Sequence, residues 1–221
     1  MPYPIPASLL EVDLHPGKPP ILHTDTPDDA PGWAAEHHHA LRTLATEHGA
    51  VLIRGLHLRD ADQAGAVFRQ LAPALLTDKE AFAPRQTYTP GVYSSSTWPP
   101  NQPMCMHHEL SYTLQPPGLM LFACLTAPTT GGATAIAEGL PFNTRFGSGD
   151  PIGPDIIQLL NDTYTAHIAR EPWQAGDLML VDNVRTAHSR EPFEGPREIL
   201  VVMAEPVRLA GGAPGLEEGV G

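Results

Sequence analysis

His107 and Glu109 flank a single residue in the run 104–112, and a third residue able to bind metal, His188, follows 81 positions after His107. The first run reads as a strand, in which residues i and i+2 share a face roughly 6.5 to 7 Å apart. His107 and Glu109 can therefore converge on one ion while His108 faces away. His188 lies just past a second apolar run, 177–184, so the third ligand would arrive from a distant strand. Two imidazoles and one carboxylate on one face of an octahedron leave positions open, the arrangement that suits non-haem Fe(II) oxygen chemistry. A His-x-Glu triplet alone is a weak signal. Its strand setting, the distal histidine and an arginine after that histidine strengthen it.

Positioning these residues calls for a mostly β framework. Short strand-like runs separated by Pro and Gly turns cover 91–96, 104–112, 119–126, 133–137, 177–184 and 198–204. Ahead of them, 50–56 is short, apolar and β-branched, as an interior strand should be. Helices are expected over 31–49, 60–75 and 154–168, the last with Ile156, Ile157, Leu159, Leu160, Tyr164 and Ile168 as its buried stripe. The fold class that follows is mainly β with flanking α-helices around a double-stranded β-helix, or jelly-roll, core. One domain over 1–221 suits the length, and the Gly- and Glu-rich tail from Gly211 should fray.

Charge narrows the partners. Thirteen Lys and Arg against 25 Asp and Glu give a formal charge of −12, with no basic run that could track a phosphate backbone, so nucleic acid is not expected. No stretch approaches the ~20 apolar residues of a membrane span, and 1–6 lacks a basic region followed by an apolar core, which points to the cytoplasm. Cys105 and Cys124 cannot build a disulfide framework. The 25 prolines and 20 glycines are scattered, so they mark turns rather than low complexity.

Several suggestive residues have plain readings. His37, His38 and His39 would spread over about 200° of a helix, cannot share one ion and should be solvent-exposed. His167 ends a helix, where a cation is stabilising without any function. Asp182 and Asn183 either orient His188 or form a turn. Cys105 reads as a small buried hydrophobe. Ser111 and Tyr112 could touch substrate, although packing explains a tyrosine there equally well.

Taken as blocks, the sequence resembles the taurine dioxygenase-like (TauD/TfdA) family of Fe(II)- and 2-oxoglutarate-dependent oxygenases, in particular its clavaminate synthase-like and SyrP-like amino-acid hydroxylases. Glu47 to Gly55 looks like the first core strand of that family, and Pro90 to Ser96 leads to the metal strand. His107 to Tyr112 resembles its His-x-Glu segment, and Gly131-Gly132-Ala133-Thr134 its Gly-Gly-x-Thr signature. Trp173 to Asp177, Asp182, Asn183, His188, Arg190 and Gly195-Pro196-Arg197 resemble the closing block. The resemblance implies that His107, Glu109 and His188 hold Fe(II) and that 2-oxoglutarate and O2 are cosubstrates. It also implies that Arg197 pairs with the far carboxylate of 2-oxoglutarate, with a hydroxyl contact from Thr134. Guanidinium matches a carboxylate with two parallel hydrogen bonds. Arg190 is the competing anchor. The implied reaction gives succinate, CO2 and an alcohol from an unactivated C–H bond. Related halogenases replace the carboxylate ligand with a small residue, so Glu109 implies hydroxylation or desaturation.

One departure stands out. The 81-residue separation of His107 and His188 is shorter than the family's usual one, and the break falls near 137–141. In relatives that stretch supplies lid elements, further strands and much of the substrate pocket. Either residues are absent from the sequence there, the favoured reading, or this is a natural or engineered short form; a jelly roll short of strands would expose sheet edges and apolar faces. The leading expectation is a hydroxylase of an amino-acid-like small molecule, free or tethered to a carrier protein. A non-catalytic remnant that binds metal or 2-oxoglutarate, and a cupin-like metalloenzyme, are the alternatives.

Overall fold

The computed structural model describes residues 10–25, 28–77, 84–138 and 148–208. The elements are β1 (Val12–Asp13), β2 (Ile21–His23), α1 (Ala30–His48), β3 (Ala50–Arg54), α2 (Ala61–Leu71), β4 (Thr87–Thr89), β5 (Val92–Ser94), β6 (Pro117–Thr126), β7 (Thr130–Gly131), β8 (Thr134–Glu138), α3 (Pro154–Ala166), β9 (Leu178–Asp182), β10 (Thr186–Arg190), β11 (Phe193–Glu194) and β12 (Glu198–Pro206). Eight strands form one sheet in the order β1-β2-β3-β9-β6-β12-β5-β4, and β10-β8 and β11-β7 form two short pairs. Within the large sheet only β2 and β3 run parallel.

Side-chain parity explains why the central strands are apolar throughout. Val51, Ile53, Leu121, Leu178, Leu180, Leu200 and Val202 pack with Leu41, Leu44, Val67 and Phe68 of the two long helices. The alternate positions, Leu52, Met120, Phe122, Met179, Ile199 and Val201, pack on the other side with Ile136 of β8 and Trp173. A strand buried on both faces has no solvent side to mark with polar residues. Each large side chain so buried contributes roughly 1.5–3 kcal/mol. The result is a helix layer, the large sheet, and a small β10-β8 layer with the site between the sheets, the mainly β jelly-roll class read from the sequence.

The helices start and stop for local reasons. The Asp29 carboxylate accepts from Gly32 N (2.9 Å) and Asp60 from Gln63 N (2.8 Å), capping α1 and α2. Gly49 closes α1 with φ +79°, where a Cβ would lie 2.2 Å from Thr186 Oγ1.

Two expectations fail here. The run 104–112 is not a strand: His107 makes one isolated antiparallel bridge with His188, and 109–113 turns, with Leu110 at φ +51°. The 154–168 helix forms as α3, but its apolar stripe is not buried. Tyr164 alone is buried, while Ile156, Ile157 and Leu159 are exposed, Leu159 to 64 %. Periodicity makes the helix, yet among the described residues nothing covers that face. The break expected near 137–141 reaches residues 139–147, which lie outside those described, as does the tail from Gly211.

Candidate metal centre

β10 carries His188 toward the large sheet, and its bridge partner His107 is brought alongside by paired hydrogen bonds, His107 N to His188 O at 2.9 Å and His188 N to His107 O at 2.8 Å. The turn after His107 then swings Glu109 back. Ligand atoms of His107, Glu109 and His188 all lie within 4.8 Å of one another, the one such group among the described residues. Glu109 and His188 are buried and His107 half-buried. The His107 Nδ1–H donates to Cys105 O at 2.9 Å, which fixes the tautomer and leaves Nε2 as a lone-pair donor. His188 Nε2 stands 3.9 Å from Glu109 Oε2, and the ring packs edge-on to Phe122. Burial, then the neighbouring His107, His108 and Arg85, hold His188 well below the usual histidine range. A neutral imidazole is the form that binds metal. Donor type, spacing and burial all fit a divalent ion.

Glu109 is held by Asn183, from the turn between β9 and β10. The Asn183 side chain accepts from Glu109 N (2.8 Å) and donates to Glu109 O (3.1 Å) and Pro117 O (2.8 Å), while its own carbonyl accepts from His108 Nδ1 at 2.6 Å. Asn183 thus orients the carboxylate residue, not His188. Asp182 makes the turn by accepting from Val184 N and Arg185 N. His108 does face away from the group, into a buried position.

The three residues open into a cavity whose walls also include Arg85, Thr134, Arg190 and Arg197. Arg197 donates through Nε to Gly132 O (3.2 Å) and through Nη1 to Ser95 Oγ (3.5 Å), and among the described residues no carboxylate pairs with it. Burial, and then nearby Arg190, push its pKa down to about 10, so it stays charged at neutral pH. Arg190 differs: Nη1 and Nη2 donate to the carbonyls of Trp98, Pro99 and Gln102, tying the 98–102 loop to β10. Thr134 Oγ1 accepts from Trp173 Nε1 at 3.2 Å. The two glycines before it allow close approach. At Gly131, φ +68°, a Cβ would sit 2.1 Å from Pro192 O, and one on Gly132 would meet Arg197 Cδ at 3.2 Å.

The profile of the family described as taurine catabolism dioxygenase TauD, TfdA matches residues 16–140 and 138–203. The chain belongs to the TauD/TfdA family. It is therefore an Fe(II)- and 2-oxoglutarate-dependent oxygenase. The dapdiamide synthesis protein DdaC of Enterobacter agglomerans is 19% identical over 283 residues, 77% of this chain and 86% of DdaC. A clavaminate synthase-like protein of Arabidopsis thaliana is 33% identical over 98 residues, 44% of this chain and 30% of that protein. PvcB from Pseudomonas aeruginosa matches in fold with a TM-score of 0.63 at 16% identity, covering 88% of this chain and 89% of PvcB. PvcB is an Fe, alpha-ketoglutarate-dependent oxygenase from an isonitrile synthetic pathway.

Other residues singled out in this TauD/TfdA chain take minor places. His37 stacks on Trp33 (4.3 Å), and His37 and His38 are half-buried rather than exposed, leaving only His39 in solvent. Cys105 is exposed, not buried, because the segment before His107 runs along the surface. Tyr112 is 51 % exposed, and His167 caps α3 with Nδ1 donating to Thr163 O. Arg85 went unnoticed in the sequence. Its one signal was isolation: no other Lys or Arg lies between Lys79 and Arg145.

Proposed function

We propose that this oxygenase hydroxylates an unactivated C–H bond of an amino acid or amino-acid-derived substrate, free or carrier-tethered, with iron held by His107, Glu109 and His188. Arg197 takes the far carboxylate of 2-oxoglutarate and Thr134 adds a hydroxyl contact. The observation that carries this reading is a half-buried Arg197 with no carboxylate partner among the described residues, in the same cavity as the two imidazoles and the carboxylate. A desolvated guanidinium without an acid is costly unless a ligand brings one. Arg190 is the weaker anchor, since three carbonyls already occupy its terminal nitrogens.

Bound iron supplies the oxygen chemistry, in which 2-oxoglutarate and O2 become succinate and CO2 while one substrate C–H bond becomes C–OH. The chain's own residues orient and shield. Asn183 fixes the Glu109 backbone, Cys105 O fixes the His107 tautomer, and Phe122, Ile199 and Val201 give the cavity an apolar wall that limits water.

The amino-acid character of the substrate is supported by kinship with a dapdiamide synthesis protein and a clavaminate synthase-like protein. We also read 1–221 as one jelly-roll domain with a segment absent near 137–141. An alignment with DdaC of 283 residues exceeds this chain's 221, so DdaC carries residues that this chain lacks. The uncovered apolar side of α3 and a family match that breaks at 138–140 support the same reading.

Anaerobic titration of the Fe(II)-loaded protein with 2-oxoglutarate tests the assignment. The weak visible charge-transfer band of the chelate should appear and be lost in Arg197→Ala, and Glu109→Ala should abolish succinate release while the fold persists. Iron uptake with no band would favour a cupin-like site.

A further inference from the structure

Arg85 precedes β4 and lines the cavity beside Glu109. Its side chain is only 8 % exposed. Nη2 donates to Glu109 Oε2 at 3.0 Å, while Nε and Nη1 are buried with no partner. Neither His107 nor His188 accepts from those two donors, and the residues assigned to 2-oxoglutarate, Arg197 and Thr134, are other ones. Buried N–H groups left unmet cost free energy, and a guanidinium fork is shaped for the paired oxygens of a carboxylate.

Charge points the same way. Among the described residues, Glu109 is the only carboxylate on the cavity wall, against Arg85, Arg190 and Arg197. Arg190 is met by carbonyl dipoles and Arg197 by the far carboxylate of 2-oxoglutarate. A divalent ion, Glu109 and a dianionic cosubstrate then leave the positive charge of Arg85 without a counterpart. In an apolar-walled cavity such a charge attracts an anion strongly.

We propose that Arg85 is the substrate anchor: it binds a free carboxylate of the substrate, at the α-carbon or on a side chain. This rests on the proposed metal and 2-oxoglutarate sites and deepens them by choosing the substrate class. Seated next to Glu109, the carboxylate would lie close to the metal position, and holding that end fixes which nearby carbon is presented.

The test uses the full chain loaded with Mn(II) and saturating N-oxalylglycine, a state that cannot turn over. Acetate is the probe, acetamide its neutral control, and the readout is the paramagnetic relaxation that bound Mn(II) imposes on the probe's methyl protons. Acetate should relax rapidly in the parent protein, acetamide should not, and Arg85→Gln should weaken acetate binding about tenfold with Mn(II) and N-oxalylglycine still bound. Arg85→Lys, which keeps the charge, should fall between the two. Equal relaxation by acetate in parent and Arg85→Gln, or none in the parent, overturns the anchor and leaves the metal reading standing. Loss of Mn(II) from Arg85→Gln alone would make Arg85 a support for Glu109 and also overturns it. Failure of the parent to take up Mn(II) or N-oxalylglycine would sink the proposed function itself.

Discussion

Replacing Asn183 with alanine removes three buried hydrogen bonds at once, those to Glu109 N, Glu109 O and Pro117 O. A buried polar group left without its partner costs roughly 1–3 kcal/mol, and relaxation of the turn recovers part of that, so the net loss of stability should be about 3 kcal/mol. For a chain of this size 1 kcal/mol moves Tm by about 2–4 °C, giving a fall of about 6–12 °C. The site should suffer separately. Partners that orient a metal-bound group are worth about 10- to 100-fold in affinity, so Mn(II) binding followed by electron paramagnetic resonance should weaken by that factor. Asn183→Asp, which keeps the acceptor for Glu109 N and loses both donors, should fall between. A Tm within about 2 °C of the parent together with unchanged Mn(II) affinity would refute the argument that this side chain holds the carboxylate in place.

Two further outcomes follow from burial. The metal-free protein should lose stability as pH falls below about 6.5: unfolded His188 takes up a proton there, while the buried ring, its pKa lowered first by desolvation, resists it. Melting curves from pH 8 to 5 should show this slope, flattened in His188→Gln; an equal slope in both would assign it to other groups. Iodoacetamide at pH 8 should label exposed Cys105 and spare Cys124, whose thiol burial pushes up to about 12, until the chain is unfolded. Mass spectrometry finding both thiols labelled in the native protein would contradict the packing of β6.

The central strands were legible because their apolar runs are buried on both sides, so composition alone marks them, whichever face each residue takes. His107, Glu109 and His188 were legible as residue types, but the reason offered for their convergence was wrong. A strand was expected where a single bridge and a turn do the job, and that turn is held by Asn183, 74 residues beyond Glu109. Local pattern cannot report a clamp supplied from so far along the chain. The same limit explains α3, whose 3.6-residue period shows a helix but not what lies against it. Arg85 sits just before β4 in a stretch with no periodicity, and only its burial in the fold gives it meaning.

The double burial of β3, β9, β6 and β12 also divides the molecule into parts with different freedom to change. A polar substitution at either parity of these strands strands an unmet group in the interior, so the scaffold tolerates little drift. Residues 84–86, 98–104 and 109–114 join the site outside any strand rather than through ladder pairing. Sequence variation in those loops could therefore alter the chemical preference of the cavity while the framework that sets the fold stays fixed, which is how one architecture can serve many substrates.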